Sequence, residues 1–268
     1  MRFVTTIPPL HAILRSCTKL PATPESAAEL SKEEEREVLR AVMTALYTTT
    51  PKDVITESLR THAENLRRQQ DAPLSSEDVV FLRLVADFPS DVGCWMVYVL
   101  NLVHLNPGEG LFLRDSEPHA YLSGDGVEIM ATSDNVVRAG LTPKYMDVQT
   151  LITMLTYNSG GLAEAFRPAQ EFCEKDHAVV QRYRPTPDFP DFSLYRVALR
   201  QTVDADSPAR ATLTLPTFGI GIVLTGGVLV NDRVAVRGDD LLVTPQVVVE
   251  LQDASLEALL FIASTNDL

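Results

Sequence analysis

Basic residues are scarce in this chain: 23 Lys and Arg stand against 36 Asp and Glu, a formal net charge of -13 over 268 residues. Recognition of nucleic acid needs a clustered basic surface that displaces counterions from phosphates, so the balance argues against that class of partner. Binding of a single sugar phosphate stays open, because one or two well-placed arginines or lysines suffice. No run of 18 or more apolar residues occurs, which argues against a membrane-spanning helix, and the opening Met1–Leu10 is too short an apolar stretch for a signal peptide. Cysteine is sparse as well. Cys17, Cys94 and Cys173 are odd in number, widely spaced and form no Cys-x-x-Cys pair, so reduced thiols in the cytoplasm are expected. Internal repeats and low-complexity tracts are missing too.

The first third has helical grammar. Ser31-Lys32-Glu33-Glu34 has the Ser-x-x-Glu form of a capping box, with acidic side chains in the first turn where the helix dipole favours them. Behind it Val38, Leu39, Val42, Met43, Leu46 and Tyr47 recur at three- and four-residue spacing. A second helix is expected from Thr50-Pro51, with Val54, Ile55, Leu59, His62 and Leu66 on one side. A third is expected from about Ser76, carrying Val79, Val80, Leu82 and Val85 up to Phe88-Pro89.

After Pro89 the period changes. Residues 102–105, 110–113 and 127–130 are short β-type runs, 144–157 has the pattern of one more helix, and 159–190 is rich in loop residues. Three prolines within Pro185–Pro190 exclude a strand interior there. From Phe192 onward eight short β-type segments are expected, at 194–199, 211–215, 221–224, 228–230, 234–236, 241–243, 247–251 and 259–263. That many strands at tight spacing fit an antiparallel jelly roll. The fold class is therefore α+β, with a helical segment preceding β-barrel material. The expected organisation is a helical domain over 1–90, barrel residues with one helix over 91–190, and a β-barrel over 191–268.

Ionisable side chains gather in one stretch. A Pro107-Gly108-Glu109 turn leads into a strand, a tight turn at Glu117-Pro118, and then His119; Glu128, Asp134, Arg138 and Lys144 follow within about 25 residues. Read singly, each has an ordinary structural role open to it: His119 as a packed histidine, Arg138 as an ion-pair partner, Asp134 as a turn residue bonding backbone amides. The other histidines, His11, His62, His104 and His177, have no suitable neighbours, and His62 sits on the apolar side of a helix. Gly219-Ile220-Gly221 and Gly226-Gly227 lie between β-type runs with no helix following, which makes them turn or bulge residues rather than a nucleotide loop.

Pro118-His119-Ala120-Tyr121-Leu122, followed by Ser133-Asp134-Asn135-Val136-Val137-Arg138-Ala139-Gly140-Leu141-Thr142-Pro143-Lys144, closely resembles the signature of type I mannose-6-phosphate isomerases. Pro107-Gly108-Glu109 and the stretch from Tyr183-Arg184-Pro185 to Asp191-Phe192 resemble further landmarks of that family. The resemblance is dense over 90–158 and collinear on both sides. It implies cupin (jelly-roll) barrels with a helical domain, and interconversion of mannose 6-phosphate and fructose 6-phosphate through a cis-enediol assisted by Zn2+. It implies that His119 is a zinc ligand and Arg138 the catalytic arginine, and that Glu128, Asp134 and Lys144 line the substrate site. The implied partner is a small sugar phosphate; neither nucleic acid nor membrane is implied, and the oligomeric state is left open.

The chain departs from the family in one respect. The family's other three zinc ligands, a Gln and a His in a Q-x-H-P segment and a later Glu, lie well upstream of the His119 motif, and no Q-x-H occurs here. A catalytic zinc needs about three protein ligands. The resemblance therefore implies a chain that lacks the family's N-terminal part and is inactive by itself. The rival expectation is a non-catalytic cupin that serves as a binding or interaction module.

Overall fold

The computed structural model describes residues 7–15, 20, 29–69, 72–133, 136–161, 166–167, 171–185, 191–200, 208–253 and 255–265. The chain forms two compact units. One comprises Met1–His104, Leu113–Leu122 and Thr132–Glu164, the other Leu105–Phe112, Ser123–Ala131 and Ala165–Leu268.

The first unit is helical: α1 (Pro8–Leu14), α2 (Lys32–Thr44), α3 (Lys52–Arg68), α4 (Ser76–Asp87) and α5 (Val148–Met154), with a 3-10 helix at Val92–Tyr98. Both α2 and α4 open on capping boxes. Ser31 Oγ accepts from Glu34 N–H while Glu34 Oε2 accepts from Ser31 N–H at 2.8 Å, and Ser75 and Asp78 repeat the arrangement. The end of α2 widens into one π turn, Ala45–Thr49. A run of threonines accounts for it: Thr48 Oγ1 bonds back to Thr44 O, and Thr50 donates to Ala45 O from both its N–H and its hydroxyl.

Val38, Val42 and Met43 of α2 share a core with Ile55, Leu59, Ala63 and Leu66 of α3 and with Phe81, Leu84 and Val85 of α4. Burying each large aliphatic side chain contributes about 1.5–3 kcal/mol. The face of α4 is rotated from the expected one, because Phe81 takes the core and Val79 points to solvent. The bulkiest part of this core is aromatic. His62, expected as an ordinary apolar-side histidine, is buried among Phe81, Trp95 and Tyr98, stacked on Trp95 at 5.5 Å. Tyr98 donates its one hydroxyl proton to Asp78 Oδ1 at 2.7 Å, so the 3.0 Å contact with His62 Nε2 has the imidazole N–H as donor. The Asp78 carboxylate thus caps α4 with one oxygen and holds Tyr98 with the other.

The second unit is an antiparallel sandwich. A six-stranded sheet runs in the order β10-β7-β12-β5-β4-β3 and a four-stranded sheet in the order β6-β11-β8-β9. The strands are β3 (Glu171–Lys175), β4 (Ala178–Tyr183), β5 (Phe192–Arg200), β6 (Arg210–Thr214), β7 (Gly219–Thr225), β8 (Gly227–Val230), β9 (Arg233–Val236), β10 (Asp240–Val243), β11 (Val248–Asp253) and β12 (Glu257–Thr265). Alternate residues turn inward, as a two-residue period requires: Tyr195, Val197 and Leu199 of β5 and Ala258, Leu260 and Ile262 of β12 meet Ala211, Leu213, Val249 and Leu251. Gly226 closes the tight connection from β7 to β8 at φ 70°. A Cβ there would lie 1.9 Å from Glu257 O, so only glycine fits.

All eight strands expected after Phe192 are present, with ends shifted by one or two residues. Two further strands, β3 and β4, occupy the stretch read as loop. They are joined by a two-residue turn with Asp176 at φ 50° and His177 at φ 60°, and β4 pairs with β5 along its length. The sandwich therefore includes residues that the sequence division placed in the middle segment. The converse holds upstream. Residues 102–105 and 127–130 form no strand, and of 110–113 only β1 (Gly110–Leu111) does, paired with β2 (Phe166–Arg167). A β-type run becomes a strand only where a second backbone supplies ladder partners, and among the described residues these runs have almost none. The helix expected over 144–157 shortens to α5 because Asp147 acts as its N-cap, Oδ1 accepting from Thr150 N–H at 3.0 Å. Most of Pro185–Pro190 lies outside the described residues.

Candidate functional site

Two coil segments of the helical unit carry His119, Arg138 and Lys144, and contacts from elsewhere in that unit hold both. Arg83 of α4 donates to Leu122 O at 2.9 Å, Asn158 Nδ2 to Glu117 Oε1 at 3.2 Å, and Thr156 N–H to Ser116 O. His119 lies between these anchors with its side chain exposed. Its Nδ1 is 3.1 Å from Glu117 O. A neutral imidazole donating Nδ1–H to that carbonyl presents the lone pair of Nε2 outward, the orientation in which a histidine binds a metal.

The second segment is docked more closely. Ala139 O accepts a hydrogen bond from the Tyr47 hydroxyl of the π turn. Asp91 caps the 3-10 helix through Gly93 N–H at 2.7 Å, and its second oxygen lies 3.4 Å from Thr142 N–H. Gly140, at φ 133°, packs against Gly93; a Cβ on Gly140 would lie 2.7 Å from Asp91 Oδ1 and 2.8 Å from Gly93 Cα. Arg138, immediately before this docked turn, is half-buried and has no hydrogen bond or ion pair to any described residue. Lys144 is exposed, and its N–H bonds Thr142 Oγ1 at 3.2 Å.

A shallow cleft of about 240 Å³ runs along the last turn of α4, lined by Arg83, Asp87, Phe88, Tyr121, Leu122, Gly140 and neighbours. Neither His119 nor Arg138 lines it. Glu128 belongs to the second unit, where it is exposed and has an interaction partner. Asp134 lies outside the described residues. The structure thus places His119, Arg138 and Lys144 in the helical unit without a hydrogen bond, ion pair or ring contact among them. Sequence reading passed over Tyr47, Asp91 and Gly93. Asp91-Val92-Gly93 carried a local cap signal; the bond from Tyr47 crosses 92 residues and left none.

Among the described residues, no three His, Cys, Asp or Glu side chains come together in a group that could hold a metal. His119 fits a zinc ion as one ligand, and the described donor set does not fit a complete zinc site. Among the described residues, no helix is long and apolar enough to cross a membrane.

Residues 18–100 match the helical insertion domain of type I phosphomannose isomerase. The chain is 33% identical to mannose-6-phosphate isomerase of Bos taurus over 240 residues, covering 85% of this chain and 55% of the relative. It is 37% identical to the Cryptococcus neoformans protein of the same name over 216 residues, 78% of this chain and 48% of the relative. The chain thus spans about half the length of the curated relatives it matches. A phosphomannose isomerase point mutant from Salmonella typhimurium superposes with a TM-score of 0.69 at 21% identity, over 100% of this chain and 59% of that one. A second Salmonella typhimurium structure, mannose 6-phosphate isomerase bound to fructose 6-phosphate and zinc, gives 0.60 at 22% identity, over 99% and 62%. At that identity the structures establish the α+β fold.

Proposed function

Because the chain belongs to the type I phosphomannose isomerase family, we propose that it serves the interconversion of mannose 6-phosphate and fructose 6-phosphate. The observation that carries this reading is the similarity to curated mannose-6-phosphate isomerases across 85% of the chain, with the His119 and Arg138 motifs inside it. Moving a proton between C1 and C2 of an aldose passes through a cis-enediol whose oxygens carry negative charge. A fixed cation beside them lowers that barrier. Arg138 suits this role, because its guanidinium is charged at every working pH and the turn behind it is docked rather than loose. The motif assigns His119, Asp134 and Lys144 to the same proposed site, with His119 as its zinc ligand. No proton transfer is assigned to a metal, since the described residues supply one imidazole.

The test is an isomerase assay on the purified chain with added zinc, together with metal analysis. Turnover with about one zinc per chain supports the reading. Within an active enzyme, Arg138→Ala is expected to lower kcat by roughly 10²–10³, the usual cost of one transition-state donor. A drop below about threefold with KM unchanged removes Arg138 from the role.

One observation favours a second reading. With no group of three metal-ligating side chains among the described residues, the chain is alternatively a non-catalytic binding or interaction module. Zinc-free protein without turnover, still able to bind fructose 6-phosphate, would support that outcome.

A further inference from the structure

The turn that follows Arg138 is held by the helical unit at three points. Tyr47 binds Ala139 O, Gly93 packs on Gly140, and Asp91 reaches Thr142 N–H while capping the 3-10 helix. All three contacts fall on the backbone of the turn, and they leave the guanidinium of Arg138 uncommitted to any described partner. Burial, with the Asp91 carboxylate and then the Cys94 thiol adding to it, pushes the Tyr47 phenol above its ordinary value, so it stays a donor at working pH. A π turn presents Tyr47 here. The threonine-bonded widening of α2 at Ala45–Thr49 is a feature that recurs where a helix serves a functional site.

We propose that Tyr47 and Asp91 are positioning residues: they lock the Ala139–Thr142 turn and thereby hold the Arg138 guanidinium where a sugar phosphate meets it. This rests on Arg138 being the group that contacts the ligand. The helical unit then takes part in the site through backbone docking without touching substrate.

The experiment uses the whole chain and fructose 6-phosphate as the probe. Affinity is followed by calorimetry, and amide hydrogen exchange is measured at residues 139–142. Arg138→Ala is expected to weaken binding by about tenfold or more, as loss of a charge-assisted contact does. Tyr47→Phe and Asp91→Ala are each expected to weaken it about three- to tenfold and to speed exchange at 139–142, the scale of one lost hydrogen bond. Asp91→Asn, which keeps an acceptor for Gly93 N–H but turns an NH2 donor toward Thr142 N–H, is expected to preserve the 3-10 cap and still weaken binding and speed exchange at 139–142.

Weakened binding with Arg138→Ala but unchanged binding with Tyr47→Phe and Asp91→Ala overturns the positioning role and leaves Arg138 in place. Unchanged binding with Arg138→Ala overturns both. Weakened binding with exchange at 139–142 unaltered also overturns the proposal, because the effect then does not pass through the turn.

Discussion

Two stretches of this chain have the same β-type composition and opposite outcomes. Between Phe192 and Thr265 every expected run sits in a ladder, and Leu199, Leu260 and Ile262 are fully buried. Between residues 102 and 130 the expected runs stay almost entirely coil, with Leu105 46% and Met130 60% exposed. The sandwich also exposes Ile220 and Leu242, but on the outer side of paired strands. A strand therefore depends on an available edge, and the motif-bearing stretch gets its order another way. Side chains of the π turn, α4 and the 3-10 helix's cap bind the backbone of its two helical-unit segments at separate points. Buried apolar side chains are concentrated in the sandwich and the helical core; the coil carries the candidate chemistry.

That contrast can be tested by substitution. The largest effect is expected in the sandwich. Leu260→Ala removes a fully buried side chain from β12 and should cost about 2–5 kcal/mol in urea unfolding. A cost under about 1 kcal/mol would mean that the inner face is loosely packed and the contrast overstated.

A middle effect belongs to the helical core. Tyr98→Phe deletes the hydroxyl between His62 and Asp78 and should cost about 1–2 kcal/mol, read from the fluorescence of Trp95, the only tryptophan. Burial holds the His62 imidazole below its ordinary 6.5, with the Asp78 carboxylate pulling the other way. For a depressed folded value the stabilisation is complete above 6.5 and is lost as pH falls from there through the folded value. Acidification from about pH 7.5 to 5.5 should accordingly destabilise the native chain more than His62→Gln. Equal losses in both would remove His62 from the pH response.

The smallest effect is expected in the coil. Val136→Ser, at a side chain facing solvent, should change stability by no more than about 0.5 kcal/mol. A larger loss would show that Val136 is packed, as its neighbours Val137, Ala139 and Leu141 are against the helical core.

Much of the architecture was legible beforehand because it rests on local pattern. The Ser31 cap, the apolar spacing of α2 and α3, and the alternation from β5 to β12 all act between residues close in sequence. The hairpin β3–β4 was missed because its turn is Asp176-His177 rather than a glycine-bearing pair, although both residues adopt left-handed φ. At the candidate site, His119 and Arg138 were found through their motif. Their supports were not, since Asp91 lies 51 residues from Thr142 and Tyr47 still farther from Ala139. Glu128 turned out to belong to the other compact unit.

By itself the sequence determined the α+β class, the starts of α2, α3 and α4, the β-type runs from Phe192 onward and the family motif, because period and capping are read within a few residues of one another. Tertiary structure decided which β-type runs become strands, that His62 is buried on Tyr98, and that Tyr47 and Asp91 hold the turn behind Arg138. Each of these depends on a backbone or side chain brought near by folding, and local pattern carries no record of such a neighbour.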